Sequence, residues 1–238
     1  MLVTGASRGI GAVTARILHG QGASVVIHYG SQAAPAHALA AELGDGTTVV
    51  GGDLADPARL ASIWEEALLW RGRIDALVNN AGAWIASPIE DKDSWDAGWA
   101  SNLGLNLTAP AELCRLAIEH FRKRGGGIIV NVTSRSAHRG DDVEHLAYGA
   151  AKAGLLALTK GIARGCGKDG VLAYAVAPGW VATDLADGHV AEDLAAHLPL
   201  GEVTPPEDVA ELIAFLASGK CRHATGATID VTGADYVR

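Results

Sequence analysis

The chain has 238 residues, 49% apolar and 19% charged, a size that suits one domain over 1–238 and a composition that excludes wholesale disorder. Nineteen Lys and Arg against 27 Asp and Glu leave a formal charge of −8, which argues against nucleic acid or an anionic membrane as main partner, since both select a net basic surface. Cys114, Cys166 and Cys221 are widely spaced with no CxxC pattern, which fits a reducing compartment and no zinc site.

From the N-terminus, Met1-Leu2-Val3 leads straight into a glycine loop, without the basic-then-apolar pattern of a signal segment. No stretch approaches the roughly 20 apolar residues that span a bilayer, so a cytoplasmic protein is expected. Apolar, β-branched runs follow at 1–3, 24–28, 47–50, 76–78, 128–132, 171–176 and 228–231. Helix-like stretches at 9–21, 35–43, 57–70, 95–123, 148–166 and 207–218 separate them. Continuous apolar runs alternating with helices predict an α/β fold of Rossmann type, a doubly wound parallel sheet of about seven strands with helices on both faces. Gly125-Gly126-Gly127 reads as the stop of one helix and the approach to a strand. In such sheets ligands bind beyond the carboxyl ends of the strands, so chemistry is sought just after each run.

After the first run comes Thr4-Gly5-Ala6-Ser7-Arg8-Gly9-Ile10-Gly11, then an alanine-rich helix. Glycines allow a tight turn and close backbone approach, and a helix N-terminus offers free N–H groups to a pyrophosphate. The spacing is G-x-x-x-G-x-G rather than G-x-G-x-x-G, and its place after the first strand points to a dinucleotide. The second run ends His28-Tyr29-Gly30-Ser31 without the acidic residue that grips a ribose 2′-hydroxyl, while Arg8 lies in the loop. A guanidinium can pair with a 2′-phosphate, so NADP(H) is expected.

Tyr148 and Lys152 stand four apart, on one face of a helix. A phenol has a pKa near 10 and is a poor acid at neutral pH unless a cation favours its ionised form; an ammonium one turn away is such a cation. The pair is common on exposed helices and gains weight only in company. That company is the glycine loop, Asn79-Asn80-Ala81-Gly82 after one strand, Ser134 after another and Pro178-Gly179 after a sixth, in that order along the chain. The set resembles the short-chain dehydrogenase/reductase family over essentially the whole chain, and within it the 3-oxoacyl-acyl-carrier-protein reductases and related small carbonyl reductases.

The resemblance implies Tyr148 as general acid, Lys152 as the group that lowers its pKa and binds the nicotinamide ribose, and Ser134 as the hydroxyl that holds the substrate oxygen. Ser136 competes with Ser134, which is favoured because it follows its strand directly. The relay asparagine of the family falls on Asn106, in Asn106-Leu107-Thr108-Ala109-Pro110, with Asn102 as runner-up; either could instead bond neighbouring helix backbone. The cofactor would be held by Gly5, Ser7, Arg8, Gly9, Ile10, Gly11, His28 and Tyr29, then by Asp53, Leu54, Asn80, Ala81 and Gly82. Pro178, Gly179, Val181 and Thr183 would receive the nicotinamide, with Tyr148 and Lys152 beside it. The resemblance also implies a homotetramer. A short first strand and Asp230-Val231-Thr232-Gly233-Ala234 in place of the usual C-terminal glycine pair depart from the family pattern.

Trp84 and Trp180 are candidates for the substrate pocket, Trp95 and Trp99 for packing. His138, His145 and His189 read as surface or pocket-rim residues without metal-ligand spacing, and Asp141-Asp142 as a solvated turn. Residues 184–204 read as a lid over the substrate. The expected activity is reduction of a β-ketoacyl or similar small carbonyl compound by NADPH to a secondary alcohol. The rivals are oxidation of a sugar, sterol or cyclic alcohol, and a nucleotide-binding protein without catalysis, which would have no use for a complete Ser-Tyr-Lys set.

Overall fold

The computed structural model describes residues 1–183 and 194–238. Seven strands form one sheet: β1 (Leu2–Val3), β2 (Val25–Tyr29), β3 (Thr47–Gly51), β4 (Ala76–Asn79), β5 (Gly127–Val132), β6 (Val171–Pro178) and β7 (Thr228–Val231). Every pairing is parallel, in the order β3-β2-β1-β4-β5-β6-β7. The winding therefore reverses between β1 and β4, the position at which open α/β sheets bind ligands.

Alternation along the strands explains why both faces are covered. Val3, Val25, Ile27, Val78 and Val130 enter one core with α1 (Gly9–Gly20) and α9 (Pro206–Ala217). Their neighbours Leu2, Val26, Leu77 and Ile129 enter the other, against α3 (Pro57–Arg71) and α5 (Ala109–Arg124). A period of two on a sheet buried on both sides leaves no polar face, which is why the strands read as unbroken apolar runs. All eight residues of β6 are buried.

Local chemistry sets the helix ends. Asp56 accepts a hydrogen bond from the Ala58 N–H at 2.9 Å and Pro57 opens α3, which Gly72 ends in the left-handed region. The basic last turn Arg122-Lys123-Arg124 and Gly125 (φ 81°) end α5, as the glycine triplet suggests. One expectation fails. The stretch 95–123 is not a single helix: α4 (Lys92–Leu103) and α5 are joined by a π-helical turn at Gly104–Thr108. The remaining helices are α2 (Ala33–Leu43), α6 (Ser136–Arg139), α7 (Leu146–Cys166) and α8 (Leu194–His197). Among the described residues no helix is long and apolar enough to cross a membrane.

Candidate active site

A cleft of about 520 Å³ opens along the carboxyl ends of the strands, from the loop after β1 to the segment after β6. Gly5 turns the chain out of β1 at φ 61°, and a Cβ there would lie 2.9 Å from the Ala81 Cα. At Gly11 a side chain would meet the Asn80 Nδ2 and the Gly5 carbonyl at 2.5 Å, so α1 starts directly against the loop. Asn80 holds the loop from below, donating to the Thr4 and Gly5 carbonyls at 2.9 and 3.2 Å. The Thr4 hydroxyl accepts the N–H groups of Asn80 and Ala81 at 3.0 Å each. The floor left by these contacts is glycine backbone and a helix N-terminus, a cradle that suits a pyrophosphate.

His28 forms the back of this loop. Its Nδ1 accepts the Gly5 N–H at 3.2 Å, so the proton sits on Nε2, which donates to the Gly52 carbonyl at 3.0 Å. Burial pulls its pKa down to about 4 and keeps the ring neutral. Ser7, Arg8, Gly9, Ile10, Asp53 and Leu54 line the cleft alongside. The Asp53 carboxylate accepts the Ala55 N–H at 2.9 Å. Tyr29 is not part of the wall: its ring fills the space over Gly51 and faces His37, so the residues that border the cleft after β2 are Gly30, Ser31 and Gln32.

At the other end β5 delivers Ser134. Thr133 anchors the turn by bonding the Val176 carbonyl through its N–H at 2.7 Å and its hydroxyl at 2.9 Å. The Ser134 Oγ accepts the Ser136 N–H at 3.1 Å and hydrogen-bonds the Tyr148 phenol. Ser136 also borders the cleft but contributes its N–H to Ser134. Tyr148 and Lys152 arrive on one face of α7, with the ammonium 5.7 Å from the phenol ring centre and 3.0 Å from the Val132 carbonyl, to which it donates.

The electrostatics differ from the expectation that Lys152 lowers the phenol pKa. Burial pushes Tyr148 up to about 12, opposed by the Ser134 hydrogen bond and the Arg135 charge. Burial also pulls Lys152 down to about 8. Desolvation is the largest cause of both shifts.

Asn106 sits on the π-helical turn, outside the cleft wall and behind Gly82. Its amide clasps the Ala83 backbone, accepting from the N–H at 3.2 Å and donating to the carbonyl at 2.9 Å. A Cβ on Gly82 would touch both the Asn106 Oδ1 (2.8 Å) and the Lys152 Nζ (3.2 Å), which shows how closely the two side chains converge. Asn102 has the backbone role weighed for it, donating to the Ile85 and Gly98 carbonyls at 2.9 Å. Gly82, Pro178, Gly179, Val181 and Thr183 all border the cleft. Val181 bridges to Thr204 in parallel, tying this segment to the far end of the expected lid. Residues 184–193 of that lid, and His189 with them, lie outside the described residues.

Trp84 and Trp180 line the cleft and meet edge-on at 5.8 Å, while Trp95 and Trp99 pack together at 5.5 Å. His145 is buried beneath Trp84, stacked at 3.7 Å, and Asp142 holds its Nδ1 at 2.7 Å. Asp142 is therefore a partner and not merely a solvated charge, and Asp141 borders the cleft. Two features escape a sequence reading. Arg135, next to Ser134, is buried in the wall. Behind the site, Asn79 donates to the Asn131 Oδ1 and Asn131 to the Thr159 hydroxyl, both at 2.8 Å, linking β4, β5 and α7.

A switch point under a glycine loop, with a buried serine and ammonium and a half-buried phenol at its far end, defines a dinucleotide-binding α/β oxidoreductase. The comparisons agree. A family model described as enoyl-(acyl carrier protein) reductase matches residues 5–233. The chain is 38% identical to cis-4-hydroxycyclohexanecarboxylate dehydrogenase of Sinomonas cyclohexanicum, over 98% of this chain and 94% of that one. It is 36% identical to 3-oxoacyl-[acyl-carrier-protein] reductase of a Synechocystis species, with the same coverage. Its fold superposes on the crystal structure of 3-ketoacyl-(acyl-carrier-protein) reductase from Brucella melitensis, complexed with NADH, with a TM-score of 0.89 at 30% identity, covering 99% and 97% of the two chains. The protein belongs to the short-chain dehydrogenase/reductase family, whose members are oxidoreductases that use a nicotinamide cofactor.

Proposed function

We propose that the protein reduces a small ketone to a secondary alcohol with NADPH. The observation that carries this is the opening of Ser134, Tyr148 and Lys152 onto the cleft that the glycine loop also enters. When bound, the nicotinamide cofactor supplies the hydride. The Gly5–Gly11 loop and the start of α1 hold the pyrophosphate, Asp53 and Leu54 the adenine side, and Val181 and Thr183 the carboxamide side. Arg8, exposed in the loop, borders the same cleft as Gly30, Ser31 and Gln32, none of which carries a carboxylate, and this favours a 2′-phosphate over a free hydroxyl.

Ser134 orients the substrate oxygen. Tyr148 donates its proton to that oxygen as negative charge develops, and Lys152 places positive charge beneath the phenol. Asn106 holds a water through which solvent protons reach Lys152. One domain over 1–238, a cytoplasmic location consistent with three free cysteines, and assembly as four copies belong to the same proposal. A sedimentation mass near that of one chain would contradict the last.

The test is oxidation of NADPH and NADH against β-ketoacyl thioesters, β-ketoesters, diketones and sugars. Tyr148→Phe should lower kcat by about 10²- to 10⁴-fold with cofactor binding unchanged. Rates near wild type in that variant, or a clear preference for NADH, would refute the corresponding part. A second reading, oxidation of a cyclic alcohol, is favoured by the hydroxycyclohexanecarboxylate dehydrogenase among the relatives. The same residues would serve it, with Tyr148 as base.

A further inference from the structure

Arg135 has no part in the proton transfer described above, yet its side chain is only 8% exposed and borders the cleft with Ser134 and Tyr148. Its backbone N–H donates to the Pro178 carbonyl at 3.0 Å, which fixes the residue across the end of β6. The guanidinium lies over the Trp180 ring at 5.1 Å, and Trp84 closes on Trp180 edge-on. From the C-terminal tail, Asp235 pairs with its Nη1. The charge is near enough to the phenol to favour its ionised form. Of the other charged groups bordering this end of the cleft, the buried Lys152 and the exposed Arg139 add to the positive potential, and Asp141 opposes it.

Burying a guanidinium is costly unless its donors are used. Five N–H donors fan from a planar fork that matches a carboxylate bidentately; Asp235 approaches one nitrogen, and the residue borders the cleft together with Ser134 and Tyr148, where a ligand carboxylate can use the others. We propose that Arg135 selects substrates bearing a carboxylate a few bonds from the reacting carbonyl, so that the natural substrates are compact oxo acids. Trp84 and Trp180 pack the carbon skeleton between the two polar ends. Asp235 is the resident counter-ion that the substrate carboxylate joins at the guanidinium. The inference rests on the reductase reading and names the substrate class of that same site.

The experiment compares 4-oxocyclohexanecarboxylate and 4-oxopentanoate with their methyl esters. For the wild type, kcat/KM for each acid should exceed that for its ester by about tenfold or more, the range of a hydrogen-bonded charge pair. Arg135→Gln should bring the ratio near unity; any general loss of activity cancels in the ratio. Asp235→Asn, which frees the guanidinium from its counter-ion, should raise the ratio severalfold. Equal rates for acid and ester in the wild type, or a ratio unchanged by Arg135→Gln, would overturn the inference while leaving the reductase intact.

A binding measurement separates the two failures and does not depend on turnover or on the folding of Arg135→Gln. With NADPH present, calorimetry on the wild type should show cyclohexanecarboxylate binding at least tenfold more tightly than cyclohexanemethanol. If no ketone is reduced but this preference holds, the reductase reading falls and the carboxylate site stands. Absence of the preference removes the site.

Discussion

Tyr148 and Lys152 are both desolvated, and the consequence for activity depends on which titrates first. The phenol, pushed up to about 12, stays protonated throughout any working range and is always available as an acid. The ammonium, pulled down to about 8, loses its charge within that range. Reduction should therefore show an alkaline limb that reports Lys152: kcat/KM falls as pH rises through about 8, by up to tenfold per unit. Lys152→Arg, which keeps its charge at every accessible pH, should flatten the limb even if it lowers the plateau. A pH–rate profile from 6 to 10 with both proteins checks this, and a wild-type plateau extending past pH 9.5 would assign the limb elsewhere. Which residues the sequence reveals follows from how they meet. Tyr148 and Lys152 share a helix face through a fixed four-residue spacing, and Ser134 is placed by the end of a strand. Arg135 gives no such signal, because its partners Trp180 and Asp235 reach it only once β6 and the C-terminal tail are in place. The Asn79–Asn131–Thr159 chain is hidden likewise: its members lie 52 and 28 residues apart and join across the sheet register.

Among the elements, the strands and most helices are visible as apolar runs and alanine-rich stretches, and their observed ends fall within about two residues of those expected. The exception is the join of α4 and α5. A π-helical turn changes only the count of residues per turn, so its marks in the stretch 95–123 are punctuation and not composition: Gly104 at its first residue and Pro110, which opens α5. Its effect is local and chemical. The turn carries Asn106 while Asn102, four residues earlier, is spent on the Ile85 and Gly98 carbonyls, and the two side chains meet at 3.2 Å. Asn106 is thereby left to hold Ala83 against Lys152. Gly82 is the tightest point of that arrangement. Gly82→Ala would place a methyl 2.8 Å from the Asn106 Oδ1, and Asn106 or Lys152 must give way. Because the clash moves the site and not the core, kcat should fall by about tenfold to 10²-fold, the scale of a displacement near 1 Å. Thermal unfolding should shift by only a few degrees. A variant with normal kcat would show that the position of Asn106 does not matter to turnover.

At the scale of the molecule, the sheet ties its functional edge together through buried polar side chains, and this sets a limit on stability in acid. His28 bridges the glycine loop after β1 and the Gly52 carbonyl after β3, using Nδ1 as acceptor and Nε2 as donor. Its pKa is depressed from 6.5 to about 4 in the folded protein. Above about 6.5 the ring is neutral in both folded and unfolded chains and its full contribution is present. Between 6.5 and 4 the unfolded chain takes up a proton that the folded chain refuses, so stability declines as pH falls. The loss can reach about 3 kcal/mol from this group, at roughly 1.4 kcal/mol per pKa unit. Below 4 the ring protonates in place, Nδ1 becomes a donor facing the Gly5 N–H, and the loop contact fails. Urea unfolding at pH 7, 6, 5 and 4.5 should show the midpoint dropping faster for the wild type than for His28→Asn, which cannot titrate, so that the two curves converge toward acid. Carboxylates lost in this range affect both proteins alike and cancel in the difference. Parallel curves would mean that His28 is no more reluctant to protonate folded than unfolded, and the linkage between loop and sheet edge would have to reside elsewhere.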